Sequence, residues 1–337
     1  MKLLRHPASR TLAAIAAGTL CFSLFSLTTG TPGSAATRTI SCATASCLQS
    51  ALKNAKPGDD IVLAEGVTFK GSFKAEASGT ASQPITIRSA GSVNPAVLSG
   101  YSTGGGYSLY VTGDYWNITG LKMTGALKGI MLDHANHVQM DGLEIYDIGD
   151  EGVHFRDGSS DNIIRNSHIY NTGLIEAGFG EGIYVGSDKG KWATYNKSAD
   201  RNVISGVRIG PGVAAEHIDI KEGTVGTIVE NSVFNGTGIT GANYADSFID
   251  VKGNDAVIRN NIGYRNGNSN IVDAFQVHVQ VAGWGQNATF TGNTVYLDQA
   301  APYVVNAVGD ATASAAGNQR YPAGNLYQGH VNAAPAN

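Results

Sequence analysis

Charge is scarce in this sequence. Charged side chains make up 15% of its 337 residues, against about 25% in an average domain. The formal net charge is −4, which argues against a nucleic-acid partner. Cysteine is rare too, with only Cys21, Cys42 and Cys47. Beyond residues 1–36 no stretch is apolar for long enough to span a bilayer. Gly and Asn are abundant instead. Gly supplies 44 residues, roughly twice ordinary usage, and Asn supplies 25. Both are poor helix formers, so bundles and coiled coils are disfavoured. Hydrophobic residues, at 42%, suffice for a sizeable core and rule out wholesale disorder.

Residues 1–36 read as a secretory signal. Lys2, Arg5 and Arg10 form a positive start, Thr11 to Thr29 is apolar, and Ser34-Ala35-Ala36 supplies small residues for cleavage. Its removal takes away three basic residues and no acid, moving the net charge from −4 to −7. The expectation is a secreted, extracellular monomer with no membrane attachment after cleavage. Cys21 leaves with the signal, and the exported context permits a disulfide between Cys42 and Cys47.

One short helix is expected over Ser46 to Lys56, with Leu48, Ala51, Leu52 and Ala55 at helical spacing and Ser46 with Gln49 as a capping box. Short strands follow it, so it is placed to cap an open core end. From Trp116 a repeat begins. Its units start at Ile118-Thr119-Gly120, Met140-Asp141-Gly142, Ile164-Arg165-Asn166, Ile204-Ser205-Gly206, Val229-Glu230-Asn231, Ile258-Arg259-Asn260 and Phe290-Thr291-Gly292. The third position is always Gly or Asn, the residues that tolerate a left-handed backbone. An apolar residue follows three positions later in the first five units (Met123, Ile145, Ile169, Ile209, Phe234), and the last two allow a one-residue shift. Irregular periods with short strands suit a solenoid with loops of varied length. The reading is all-β: a right-handed parallel β-helix over residues 37–300, with 301–337 as a cap or loose tail. A β-sandwich is the rival, but the repeat is too long for hairpin-linked strands.

Each unit carries a second strand, and chemistry gathers there. Glu151 to Arg156, Glu181 to Gly186, Glu216 to Lys221, Ser247 to Lys252 and Asp273 to His278 align by alternation. Their apolar positions point inward and the residues between point outward. Three outward columns result: Glu151, Glu181, Glu216, Ser247, Asp273; then His154, Tyr184, Asp219, Asp250, Gln276; then Arg156, Gly186, Lys221, Lys252, His278. Stacked like charges repel unless neutralised. A hard cation such as Ca²⁺ would relieve the carboxylates Glu181, Glu216, Asp219 and Asp250. An anionic ligand would relieve the basic column. The plainer alternative is a solvated ladder of ion pairs, Asp219 with Lys221 and Asp250 with Lys252. The longest interval holds Asp188 to Lys197, where basic residues interleave with aromatics. Lys189, Lys191, Trp192 and Tyr195 suit a sugar acid, with His154 and Tyr184 beside them. Trp284 reads as a core or turn residue.

At these residues the chain resembles the pectate-lyase-like right-handed β-helix proteins, and within them the chondroitinase-B and alginate-lyase family. The likeness covers roughly residues 38 to 300. It is carried by the run Ala55 to Leu63, by Pro84-Ile85-Thr86-Ile87, and by a Glu placed five residues before a Lys, here Glu216 and Lys221. The resemblance implies Glu216 as a calcium ligand and Lys221 as general base. Ala214 stands where that family has a further Glu, Glu181 where it has an Asn, and Val251-Lys252-Gly253 where it has Arg-His-Gly.

The expected function is β-elimination on an acidic, uronic-acid-containing polysaccharide. Ca²⁺ would neutralise the sugar carboxylate, and Lys221, Lys252, Arg156 and His278 would form the catalytic and carboxylate-binding set. One alternative is a glycoside hydrolase using two carboxylates among Asp219, Asp246, Asp250 and Asp273. Another is a carbohydrate-binding solenoid without catalysis.

Overall fold

Turn chemistry sets the architecture. At all seven repeat positions the backbone takes a positive φ, from 51° at Asn166 to 64° at Gly206. Each such residue ends one short strand and swings the chain onto the next face. In the computed structural model, which describes residues 37–334, the coil therefore has three faces. The export signal read from residues 1–36 lies outside the described residues.

The first face runs through Lys128–Asp133, Val153–Arg156, Ile183–Val185, Ile218–Ile220, Ile249–Val251 and Phe275–His278, each paired in parallel with the next. The second runs from Trp116–Thr119 through Gln139–Asp141 and Ile163–Arg165 to Ala288–Thr291. The third stacks Lys122–Thr124, Glu144–Tyr146, His168–Tyr170 and their successors to Gln319–Tyr321. Every named strand pairs in parallel, which excludes the sandwich. The fold is a right-handed parallel β-helix. Among the described residues no helix is long and apolar enough to cross a membrane.

Alternation fills the core as expected. Ile183, Val185, Ile218, Ile220, Ile249, Val251, Phe275 and Val277 are buried, as are Met123, Ile145, Ile169, Ile209 and Phe234 on the third face. The last two units do not shift register. Phe234 pairs with Gly263 and Gly263 with Val295, so Gly263 takes an inward position itself. The reason is Phe248, whose ring fills the space: a Cβ on Gly263 would lie 2.7 Å from its Cε2. Gly263→Val should cost about 1–3 kcal/mol by overpacking. The expected reading is a lower urea midpoint with an unchanged slope, and a wild-type midpoint would refute the close fit. His217 is also inside, between Phe234 and Phe248 with ring centroids 5.6 Å from each. Burial lowers its pKa to about 3, so it is a neutral core residue.

The helix spans Ala45–Lys53 and buries Leu48, Ala51 and Leu52. Its N-cap is Thr44, whose side chain accepts from the Cys47 amide at 3.2 Å, in place of the expected Ser46–Gln49 box. Cys42 and Cys47 are joined, with Cα atoms 5.4 Å apart. Residues 301–337, read from sequence as a cap or loose tail, hold the strands Val305–Ala316 and Tyr327–Ala333. The first of these is long enough to pair with both Phe275–His278 and Ala288–Thr291, so the coil continues through it.

Candidate active site

Parallel register brings the outward residues of the first face into true columns. His154, Tyr184, Asp219, Asp250 and Gln276 are successive partners across five rungs. These side chains point away from the core yet are mostly buried, because loops wall the face. The turns Ala177–Phe179 and Ala242–Tyr244 contribute to that wall. A cavity of about 430 Å³ is lined by Glu216, Asp219, Lys221, Asp246, Lys252 and His278. A neighbouring cavity of about 540 Å³ is lined by Lys128, Glu151, His154, Arg156, Glu181 and Tyr184. Asp188 borders both.

The carboxylate column is uneven in charge. Glu151 is ion-paired to Lys128 and bonded at 2.8 Å to His154 Nδ1, which draws its pKa down to about 2 against the cost of burial. Asp273 accepts from the Tyr303 amide at 2.8 Å and from Asn306 Nδ2 at 2.9 Å. Ser247 carries no charge. Glu181 and Glu216 remain, 3% and 6% exposed, and neither forms an ion pair among the described residues. Burial raises the Glu181 pKa well above the ordinary range, with Glu151, Asp219 and Glu216 adding repulsion. Burial, with Asp219 adding repulsion, raises Glu216 to about 8. Glu181, Glu216 and Asp219 each offer a carboxylate oxygen within 4.8 Å of the others. A Ca²⁺ ion with ligands at about 2.3–2.6 Å fits that spread, and the all-oxygen donor set suits a hard cation.

The basic column is more heavily paired. Lys252 Nζ donates to Asp219 Oδ1 at 2.8 Å and lies 2.6 Å from Asp250 Oδ2. Against the cost of burial, those carboxylates hold its pKa well above the ordinary lysine value. The other oxygen of Asp250 accepts from His278 Nδ1 at 2.8 Å. Asp250, expected from the sequence among the metal ligands, lies outside the triad formed by Glu181, Glu216 and Asp219. The ion pairs of the plainer alternative, Asp219 with Lys221 and Asp250 with Lys252, are present, but buried and not solvated. Lys221 is freer: among the described residues its Nζ meets only Asp219 Oδ2, at 3.3 Å, and sits 5.4 Å from the Tyr184 ring centroid.

Other expected residues separate. Arg156 is bonded to Asp133 by two nitrogens, each at 2.7 Å, and lies over the Tyr195 ring at 4.1 Å, so its charge is already met in the neighbouring cavity. His154 is held at both nitrogens, by Glu151 and by the Gly186 carbonyl at 2.9 Å. Tyr184 packs edge-on against His154 with centroids 4.5 Å apart. Lys191 and Tyr195 line the neighbouring cavity. Lys189 Nζ donates to the Gln280 carbonyl at 3.2 Å, and Trp192 Nε1 to the Ser187 carbonyl at 3.0 Å. Sequence reasoning missed Lys128, Asn243 and Tyr244 as lining residues. Lys128 had a signal, since it opens the rung before Val153–Arg156; the two loop residues had none.

A family model for the Pel9A-like right handed beta helix region matches residues 27–190. The fold is that of the pectate-lyase-like β-helix proteins. The crystal structure of pectate lyase Pel9A is similar, with a TM-score of 0.68 at 18% identity, over 89% of this chain and 79% of that one. A rhamnogalacturonan lyase gives 0.61 at 15% identity, over 83% and 78%. A GH136 lacto-N-biosidase from Eubacterium ramulus gives 0.60 at 11% identity, over 88% and 67%. No curated protein sequence matches the chain. The fold is therefore shared with polysaccharide lyases and with at least one glycoside hydrolase.

Proposed function

We propose that the protein is a secreted polysaccharide lyase that cleaves a uronic-acid polymer by β-elimination. One observation carries the reading: two buried carboxylates without counter-ions, Glu181 and Glu216, share a wall with a lightly engaged lysine, Lys221. A calcium ion held by Glu181, Glu216 and Asp219 would supply positive charge for the anion that develops at the sugar carboxylate.

The chain's own residues do the rest. Lys221 is placed to take the proton from the carbon next to the sugar carboxylate, a step that requires its unprotonated form. The electron pair forms a carbon–carbon double bond, and the adjoining glycosidic oxygen leaves and is protonated by water. Lys252 is the poorer base, because two carboxylates stabilise its charged form. Its part is to hold Asp219 and Asp250 in place. His278, with 30% of its side chain exposed, faces the cavity where a neighbouring sugar carboxylate would lie. The test is a panel of pectate, alginate, glucuronan and glycosaminoglycans, with and without chelator. Ultraviolet absorbance from a new double bond supports the lyase.

A second reading is favoured by one pair of groups. Burial, with Asp250 adding repulsion, raises Asp246 to about 6, while Asp250, against the cost of its own burial, is held well below the carboxylate range by Lys252 and His278. Two carboxyls pushed apart in one cavity suit an acid and a base of a glycoside hydrolase. Reducing ends without ultraviolet absorbance would select it.

Glu216 also sets a pH dependence. Its carboxyl ordinarily titrates at 4.5 and here at about 8. As pH rises through that window the unfolded chain loses the proton first, so folding stability falls and stays lower above it. Calcium at the triad should offset the loss. In chelator the melting temperature should drop across the window, calcium should raise it most at the upper end, and Glu216→Gln should flatten the slope. A midpoint insensitive to calcium there removes Glu216 from the metal role.

A further inference from the structure

We propose that Trp192, Lys197 and Trp284 form an anionic-sugar subsite at the edge of the catalytic cleft, separate from the carboxylate cluster. The inference rests on the polysaccharide reading but not on the lyase chemistry.

The three residues come from distant parts of the chain. Trp192 and Lys197 lie in the long insertion after Ile183–Val185, and Trp284 lies in the turn after Phe275–His278. Both segments are tied down. The Trp192 indole donates to the Ser187 carbonyl at 3.0 Å, and Lys189 Nζ to the Gln280 carbonyl at 3.2 Å. The Gly285 amide donates to the Lys252 carbonyl at 2.9 Å, which sets Trp284 beside the basic column. The Lys197 stem packs over Gly223, where an added Cβ would come within 2.8 Å of Lys197 Cβ. Gly223 follows Lys221 by two residues, so the cluster begins where the catalytic rung ends.

The chemistry is that of an anion receptor. Lys197 Nζ lies 5.0 Å from the Trp192 ring centroid and 5.2 Å from that of Trp284. Two indoles orient and partly stabilise the ammonium, but they leave its formal charge uncancelled. Among the described residues Lys197 has no carboxylate partner, although the chain is acidic overall. Lys197 is exposed and both indoles are only partly buried. A uronic-acid residue offers what this arrangement lacks: a carboxylate for the ammonium, and an apolar C–H face for the open part of an indole. A neutral sugar would satisfy only the rings, and an inorganic anion only the charge.

The tryptophans are also the reporters. The third one, Trp116, is 0% exposed and sits in the core, so ligand-induced fluorescence change arises from Trp192 and Trp284. The full chain is titrated in chelator with oligogalacturonate, with its methyl ester, and with inorganic sulfate. The expected result is a saturable fluorescence change with oligogalacturonate that is much weaker with the ester and with sulfate. Lys197→Met, which keeps the stem over Gly223, should weaken oligogalacturonate binding about tenfold or more. Trp284→Phe should remove part of the signal while keeping a ring beside the ammonium. Binding of oligogalacturonate, seen by calorimetry, with no fluorescence change overturns the subsite. So does ester binding as tight as the acid, or unchanged affinity in Lys197→Met. Absence of any oligogalacturonate binding overturns it as stated. Binding with this signature but no double-bond product would instead sink the lyase chemistry and leave the subsite standing.

Discussion

Lys221→Ala should lower turnover by about a thousandfold, within the range of about 10²–10⁴ attributed to a positioned general base. The argument is one of elimination among the cations on the first face. Arg156 is doubly bonded to Asp133, and Lys252 is shared between two carboxylates. Lys128 meets both Asp150 and Glu151, so among the described residues only Lys221 has a single, long contact, at 3.3 Å to Asp219. Its removal also leaves Asp219 with Lys252, so the triad and the fold should persist. The check is the initial rate of ultraviolet absorbance on the best polymer of the panel, beside circular dichroism and calcium binding. A variant within about tenfold of wild type, folded and binding calcium, would take Lys221 out of the role. Lys221→Arg should be nearly as slow, because guanidinium does not lose its proton in the working range.

Lys252→Met should destabilise the protein by about 3–5 kcal/mol, the usual cost of stripping one partner from a buried ion pair. The side chain is 11% exposed and bridges Asp219 to Asp250. Without it, two buried carboxylates face each other across adjacent rungs, with only Lys221 and His278 to answer them. The loss should appear as a lower denaturant midpoint, and should shrink at acidic pH as the carboxylates are protonated. Asp250→Asn in the same background should recover part of it, since the two changes share one network. A loss below about 1 kcal/mol would mean that the pair is effectively solvated.

The contrast between these lysines marks where sequence reasoning reached its limit. Both occupy the same column two residues after an Asp, and nothing local distinguishes Lys221 from Lys252. The difference arises because Asp219 on one rung and Asp250 on the next lie on the same side of Lys252, at a distance set by strand stacking. Asp250, expected among the metal ligands, lies outside the three carboxylates that approach one another within 4.8 Å, Glu181, Glu216 and Asp219. The oxygens of Asp250 meet His278 from the following rung and Lys252 from its own, while those of Asp219 meet Lys252 and Lys221. The insertion after Ile183–Val185, a single binding segment in sequence, divides in the structure: Lys191 and Tyr195 line one cavity, whereas Trp192 lies with Trp284 around Lys197.

Periodicity and turn residues were enough to specify the coil. Alternation decides which side chains face inward, and Gly or Asn at each bend decides where a strand ends, and both are properties of a few neighbouring residues. The columns followed, because parallel stacking copies a position from one rung to the next. Which carboxylates stay without counter-ions, which lysine is lightly engaged and which indoles flank Lys197 depended on contacts between rungs and loops far apart in the chain. Electrostatic pairing acts through space, over a few ångströms, so folding had to bring those partners together before it could choose between them.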